Sequence, residues 1–133
     1  MPTIDVAAGL VFREGKLLIA LRHPEAHLGG LWEFPGGKRE HGESFEACLA
    51  RELREELGIE ASVGELVESV THEYPGKIVR LQFYRCLWKK HEPQRLGCAD
   101  FAWVGAGELR EYVFPAADER LLVRLQRDRE LWS

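Results

Sequence analysis

Apolar and polar residues alternate along the chain in segments that predict a mixed set of strands and helices. Apolar residues dominate 6–12 and 17–22, and the charged, glycine-containing segment 13–16 between them predicts a β-hairpin. Further extended segments are expected at 31–34, 59–72, 78–88 and 101–104. Polar segments with glycine or proline separate them and predict loops or turns at 23–30, 74–77 and 89–97.

The segment 44–58 has the repeat of an amphipathic helix. Ser44 can accept a hydrogen bond from the first turn as an N-cap, and Gly58 favours a stop after the last turn. Between them, apolar side chains recur every four residues and form one stripe, made of Phe45, Leu49, Leu53 and Leu57. This segment therefore predicts a helix with one buried face.

A second long helix is predicted over 118–131, after a short helical turn at 107–110. Its inward side is expected to carry Leu121, Leu122 and Leu125. Mixed strands with two substantial helices predict an α/β class protein, built as an α/β/α sandwich with a mixed β-sheet. No linker, repeat or low-complexity segment interrupts the chain, so residues 1–133 are expected to form a single domain.

Three glutamates, Glu52, Glu55 and Glu56, lie at positions i, i+3 and i+4 of the first helix. At about 100° per residue, Glu52 and Glu56 fall at the edge of the apolar stripe, with Glu55 one step further round. Partly buried carboxylates that lie close together repel one another and lose hydration, so a cation is expected among them. Oxygen ligands suit Mg²⁺, or Mn²⁺ as a substitute. A solvated acidic face is the ordinary alternative.

The glycine pair Gly36 and Gly37 directly precedes this acidic helix and favours the metal interpretation. Glycine allows the backbone to approach a metal ion or a phosphate closely, whereas a simple tight turn is the alternative.

The segment 37–59, GKREHGESFEACLARELREELGI, resembles the box of the Nudix hydrolases at every fixed position. That box has a glycine, a glutamate and the run R-E-U-x-E-E-x-G-U, where U is aliphatic, at fixed spacings. The flanking segments 17–22, 31–38 and 113–118 are similar to the MutT branch of the family. The resemblance covers nearly the whole chain and implies the Nudix fold.

This resemblance implies an enzyme of nucleotide-pool sanitation. Enzymes of the MutT branch hydrolyse nucleoside triphosphates, often damaged ones, to monophosphate and pyrophosphate. By similarity, Glu52, Glu55, Glu56 and the Gly36 carbonyl would bind Mg²⁺, and Glu52 would orient or deprotonate the attacking water. Two alternatives are a noncatalytic nucleotide-binding module, which usually has a broken box, and a Nudix enzyme for another nucleoside diphosphate derivative.

Further candidate residues would contact the substrate. The resemblance implies that Arg22 and Lys38 face phosphates, although each could be an ordinary surface charge. Phe34 and Phe114 could stack on a base or belong to the core.

Asp118 stands where MutT-type enzymes specific for 8-oxo-dGTP carry the asparagine that reads the base. An ionised aspartate only accepts hydrogen bonds, for example from the amines of cytosine or adenine, and only a protonated one imitates asparagine. Relatives that prefer cytosine nucleotides also carry aspartate in this region, which weakens an 8-oxoguanine assignment. The alternative is that Asp118 only caps the last helix.

A further metal-binding or basic carboxylate is harder to assign. Several MutT-like enzymes place a glutamate in the loop before the last strand, where this chain has Gly97 and Cys98. Glu92 and Asp100 are possible substitutes, although an ordinary surface charge is the favoured interpretation of each.

Composition sets the remaining limits. The formal net charge of −4 disfavours stable nucleic-acid binding, although bound metal ions would still admit a nucleotide. No apolar segment reaches the length of a membrane span, and the N-terminal residues do not have the pattern of a signal peptide. Three cysteines without metal-ligand spacing are expected to be reduced thiols of a cytoplasmic protein. The sequence does not distinguish a monomer from a homodimer.

Overall fold

The computed structural model describes residues 1–133 and contains one seven-stranded sheet. Its strands are β1 (Thr3–Arg13), β2 (Lys16–Leu21), β3 (Trp32–Glu33), β4 (Gly36–Lys38), β5 (Glu60–Tyr74), β6 (Lys77–Lys90) and β7 (Asp100–Val104). The α-helices are α1 (Phe45–Leu57) and α2 (Glu119–Arg127). Short 3₁₀ helices occupy Ala106–Glu111, Ala116–Asp118 and Arg129–Trp132. No helix is long and apolar enough to cross a membrane.

The centre of the sheet is a parallel pair, β1 and β6, in register from Thr3 opposite Ile78 to Phe12 opposite Leu87. β5 pairs antiparallel with β6 on one side, and β2 carries β7 on the other side. Because side chains of a strand alternate between the two faces, alternate residues of the central pair share one face. That face carries Ile4, Val6 and Ala8 beside Val79, Leu81 and Phe83.

β1 and β2 pair only next to their hairpin, and the segment 32–38 fills the gap where they separate. Within it, β3 pairs with β2 and β4 pairs with β1. The glycine segment is therefore a short strand, and the alternative of a simple tight turn is wrong. Glycine is needed because a Cβ at Gly36 would lie 2.0 Å from the Ala7 carbonyl oxygen.

The two faces of the sheet are covered by different helices, which confirms the α/β/α prediction. On one face α1 buries Leu49, Leu53 and Leu57 completely. On the other face, α2 and the end of the chain bury Leu121 and Leu125 with Trp132, in a core that includes residues of β1 and β6. Leu122 is only partly buried, at the margin of this core.

The first helix has the predicted ends. Ser44 Oγ accepts a hydrogen bond from the Ala47 amide at 3.0 Å, and Gly58 adopts the left-handed conformation with φ of 70°. The second helix is shorter than predicted, because it ends at Arg127 and the chain turns at Asp128. The turn lets Trp132 fold back, where its Nε1 donates to the Leu125 carbonyl at 3.0 Å.

Candidate active site

A cleft of about 190 Å³ opens on the sheet face that α2 covers in part. Its floor is apolar and consists of the alternate residues of the central strands, Ile4, Val6, Ala8, Val79, Leu81 and Phe83. Polar groups stand around this floor, contributed by Arg22, His27, Glu33, Lys38, Tyr74, Lys77 and Asp118. Gly36 and Gly37 also line the cleft and connect it to the acidic edge of α1.

The acidic edge of α1 lies directly against the glycine strand. A Cβ at Gly37 would lie 2.4 Å from Cδ of Glu52, so the Glu52 carboxylate rests on the glycine backbone. Glu56 is 9% exposed, and its Oε1 has no hydrogen-bond partner. The predicted placement of both glutamates at the margin of the buried stripe is therefore what the structure shows.

Burial dominates the electrostatics of these two glutamates. It raises the pKa of Glu56 to about 8, with further contributions from Glu33 and Glu52, while the Gly36 backbone and Arg22 oppose the shift. Burial also raises the pKa of Glu52, although a hydrogen bond from Arg51 opposes it. Because burial disfavours the ionised form of both carboxylates, a nearby positive charge would stabilise them.

Arg51 supplies part of that positive charge. Its Nη1 donates to Glu52 Oε2 at 2.9 Å and to Glu55 Oε1 at 3.1 Å. Its Nη2 donates to Glu43 at 2.7 Å and to the Lys38 carbonyl at 3.1 Å. The hydrogen bond from Arg51 lowers the pKa of Glu43 to about 2. Arg51 and Glu43 thus join the strand β4, the following loop and α1.

The three glutamates do not converge on one point in this arrangement. The Glu55 side chain is 59% exposed and paired with Arg51, and no three acidic, histidine or cysteine side chains are grouped as a metal site would require. Even so, the residues fit a divalent cation. A buried carboxylate oxygen without a partner is the kind of group that a metal ion satisfies, and carboxylate oxygens suit a hard divalent cation.

Of the predicted substrate contacts, Phe114 is the one that the structure places outside the cleft. Its ring stacks on Phe34, with centroids 4.9 Å apart and an angle of 17° between the planes. Phe34 itself is 4% exposed and also meets Phe83 edge-on, so it is a core residue that borders the cleft. Phe34 is therefore too buried to offer a face to a base, and Phe114 is partly exposed beside it.

Asp118 lines the cleft and occupies the N-cap position of α2, but its side chain does not act as a cap. Its side chain makes no capping hydrogen bond to α2, and its backbone has the helical values φ −92° and ψ −3° rather than those of an N-cap. The residue is 6% exposed. Burial, with a smaller contribution from Glu33, raises its pKa to about 7.

The two predicted cations both line the cleft but differ in their surroundings. Lys38 is an exposed residue of the lining. Arg22 is already engaged, since Nη1 donates to Glu33 Oε1 at 2.7 Å and Nε donates to the His27 carbonyl at 2.7 Å.

Neither predicted substitute for the further carboxylate lines the cleft. Glu92 is 69% exposed and pairs with Arg13 at 2.9 Å, and Asp100 accepts a hydrogen bond from the Phe101 amide at 2.9 Å. Glu33 is the carboxylate that sequence reasoning missed. It is half-buried, and burial raises its pKa despite Arg22, with Glu52 contributing in the same direction.

Strand pairing brings Glu33, Tyr74 and Lys77 to the cleft, and none of them was predicted there. Glu33 reaches the site because β3 pairs with the end of β2, opposite Ala20. Tyr74 and Lys77 lie in a segment predicted as a simple turn, and they line the cleft because the β5–β6 hairpin extends as far as its floor. The sequence held no local signal for either placement.

Comparison with known proteins agrees with this architecture. The NUDIX domain family model matches residues 7–124. The chain is 43% identical to the CTP pyrophosphohydrolase of Escherichia coli K12, over 92% of this chain and 90% of that protein. It is 32% identical to the 8-oxo-dGTP diphosphatase of the same organism, over 96% and 99% of the two chains.

Solved structures show the same fold. The crystal structure of a MutT protein from Methanosarcina mazei Go1 superposes with a TM-score of 0.85 at 25% identity, covering 95% of this chain and 94% of that one. Together, the family match, these relatives and the box along α1 show that the chain belongs to the Nudix hydrolase family, in its MutT-like branch.

Proposed function

We propose that the protein is a Mg²⁺-dependent nucleoside triphosphate pyrophosphohydrolase, which converts a (d)NTP to the monophosphate and pyrophosphate in nucleotide-pool sanitation. One observation carries the proposal: the acidic edge of α1 meets the cleft at Gly36 and Gly37. The carboxylates can bind a metal ion that in turn binds the phosphates of a nucleotide. The apolar floor can contact the base and sugar. The activities named for the two Escherichia coli relatives support a triphosphate substrate.

Nudix proteins typically depend on a divalent metal. In this chain Glu52, Glu56 and the Gly36 carbonyl would hold Mg²⁺, or Mn²⁺ as a substitute, and Glu55 would join them by leaving Arg51. Such an ion, when bound, screens phosphate charge and makes a bound water more acidic. The unpartnered Glu56 Oε1 is the feature of this structure that supports the assignment.

The reaction itself needs a group that orients the water attacking an internal phosphorus. Glu52 is proposed for this role, because its carboxylate lies on Gly37 at the edge of the cleft and burial raises its pKa toward that of an effective base. Glu33 is the second candidate, since it lines the cleft and interacts with both Glu52 and Glu56. Arg51 and Glu43 hold the helix and the glycine strand together.

Asp118 is proposed to read the base. Its ionised carboxylate would accept a hydrogen bond from the exocyclic amine of cytosine, whereas the neutral acid would imitate asparagine and admit 8-oxoguanine. Because its pKa is raised to about 7, both forms are accessible near neutral pH. Cytosine and oxidised guanine nucleotides are therefore the leading substrates.

The proposed location is the cytoplasm. The three cysteines, Cys48, Cys86 and Cys98, are buried and unpaired, which suits a reducing compartment.

Pyrophosphate release from a panel of nucleotides tests the proposal. With Mg²⁺ present, we expect turnover of CTP, dCTP or 8-oxo-dGTP, with 2-hydroxy-dATP as a third base type, and loss of turnover after chelation. Binding without hydrolysis of any nucleotide would favour the noncatalytic module. Hydrolysis only of nucleotide sugars or dinucleotide polyphosphates would favour the other alternative.

A further inference from the structure

Arg22 holds the loop 23–30 at both ends and in the middle. The Arg22 amide donates to the Leu31 carbonyl at 3.0 Å, and the Gly30 amide donates to the Arg22 carbonyl at 3.3 Å. These two bonds close the ends of the loop. In the middle, Arg22 Nε donates to the His27 carbonyl at 2.7 Å. The first two bonds use only the backbone, so the contribution that is specific to arginine is the bond from the guanidinium to the middle of the loop.

The same guanidinium joins the loop to the sheet. Its Nη1 donates to Glu33 Oε1 on β3 at 2.7 Å, and the Glu33 side chain is only 22% exposed. A charged donor stabilises a half-buried carboxylate. The planar guanidinium can donate to the Glu33 carboxylate through Nη1 and to the His27 carbonyl through Nε at the same time. A lysine has a single nitrogen at the end of its side chain and cannot reproduce that geometry.

The other hydrogen bonds of the loop are local backbone turns, donated by the amides of Ala26, Gly29 and Leu31, and Arg22 is the one side chain that hydrogen-bonds to it. Leu28 has φ of 59°, a conformation that costs a residue with a side chain free energy. The backbone is also folded tightly, because a Cβ at Gly29 would lie 2.2 Å from the Pro24 carbonyl oxygen. A short loop in such a conformation persists only when surrounding contacts hold it.

The loop forms part of the wall of the cleft. The loop contributes His27 and Leu28 to the lining. The His27 ring meets the edge of Tyr74 at the end of β5, with centroids 5.4 Å apart and an angle of 83° between the planes. His27 and Tyr74 therefore close one side of the cleft, and His27 stays there because its carbonyl is bound to Arg22.

We propose that Arg22 is a positioning residue, whose guanidinium fixes the loop 23–30 against β3 so that His27 remains in contact with Tyr74 and the cleft keeps its substrate-binding shape. This role differs from the direct phosphate contact that the family resemblance implies. A phosphate contact depends on the positive charge of Arg22, whereas positioning depends on its two-nitrogen fork. The expected effect on substrate affinity rests on the proposed function, but the effect on the loop does not.

Two variants separate the two roles. Arg22→Lys keeps the positive charge and removes the guanidinium fork, whereas Arg22→Gln removes both. Amide hydrogen exchange is measured at Ala26, Gly29 and Leu31, with the amides of β1 and β6 as an internal reference for the fold. Both variants are expected to exchange about tenfold faster in the loop and to leave the reference amides unchanged. In steady-state kinetics both should raise KM about tenfold and change kcat much less.

Lys38→Gln is the matched control, because Lys38 lines the cleft with a positive charge but makes no bond to the loop. It is expected to raise KM without changing loop exchange. Glu33→Gln keeps an oxygen that accepts from Arg22 and should leave loop exchange near the wild-type rate, whereas Glu33→Ala should accelerate it.

Wild-type loop exchange in Arg22→Lys would overturn the proposal, and so would a raised KM in Arg22→Gln without faster exchange. If the loop exchanges faster but no variant or wild-type protein hydrolyses a nucleotide, the positioning role stands and the proposed function fails.

Discussion

Glu56 and Asp118 are the two buried carboxylates of this protein, 9% and 6% exposed, and their neighbours differ. Burial raises the pKa of both, to about 8 and about 7. Glu56 lies near other carboxylates, next to the glycine strand β4, and a divalent cation would offset the repulsion among them. Asp118 lies at an apolar floor with one acidic neighbour, where a proton or an amine donor is sufficient. We therefore propose that similar burial serves two different ends of one site, a phosphate end at Glu56 and a base end at Asp118.

The largest effect is expected at the phosphate end. Replacing Glu52 by Gln removes the negative charge next to Gly37 but keeps the shape of the side chain. We expect kcat to fall about 10²- to 10⁴-fold, the range that a positioned general base contributes, while the fold is kept. Pyrophosphate release and a thermal unfolding curve measure the two quantities.

Glu46→Gln is the matched control, because Glu46 is an exposed glutamate in the first turn of the same helix. It should turn over within about twofold of wild type. A folded Glu52→Gln protein with near-wild-type hydrolysis would exclude Glu52 from the chemistry.

At the base end, Asp118→Asn tests whether the carboxyl group selects the base. The amide always offers both a donor and an acceptor, so the variant should gain 8-oxo-dGTP hydrolysis relative to dCTP. We expect the ratio of the two kcat/KM values to shift about tenfold, which corresponds to one hydrogen-bonding difference. An unchanged ratio would mean that Asp118 does not contact the base.

The same substitution also makes stability depend on pH in a defined direction. The pKa of Asp118 is raised from 3.8 when unfolded to about 7 when folded, so the favourable contribution of its proton is complete below about pH 4. That contribution is lost as pH rises toward 7, because the unfolded chain has already released the proton. Asp118→Asn should therefore become more stable relative to wild type between pH 4 and pH 7, by about 5 °C in Tm or more.

Calorimetry in the presence of a chelator measures this difference without interference from metal binding. Asp100→Asn, the same change at an exposed position, should follow the wild-type curve at every pH. A constant difference in Tm between Asp118→Asn and wild type would show that Asp118 is ionised throughout.

The phosphate end could be predicted from sequence far better than the base end, for a physical reason. Glu52 and Glu56 lie on one helix, and helical periodicity alone places them beside the buried stripe. Glu33 and Tyr74 reach the cleft only through strand pairing between distant segments, which no local pattern encodes. The sequence singles out Asp118, but only its burial and the absence of a capping hydrogen bond favour the proposed base-reading role over that of a helix cap.

The smallest effect is expected at Glu92. Comparing Glu92 with Glu33 tests which of them is the further carboxylate of the site. Glu92 forms an exposed pair with Arg13, and such pairs contribute about 0 to 1 kcal/mol to stability. Glu92→Gln should therefore leave kcat within about twofold of wild type. Glu33→Gln removes a charge that interacts with both Glu52 and Glu56, and should lower kcat about tenfold without loosening the loop 23–30. If the two variants were instead equally active, the phosphate end would work with the glutamates of α1 alone, because no other carboxylate of the cleft interacts with both of them.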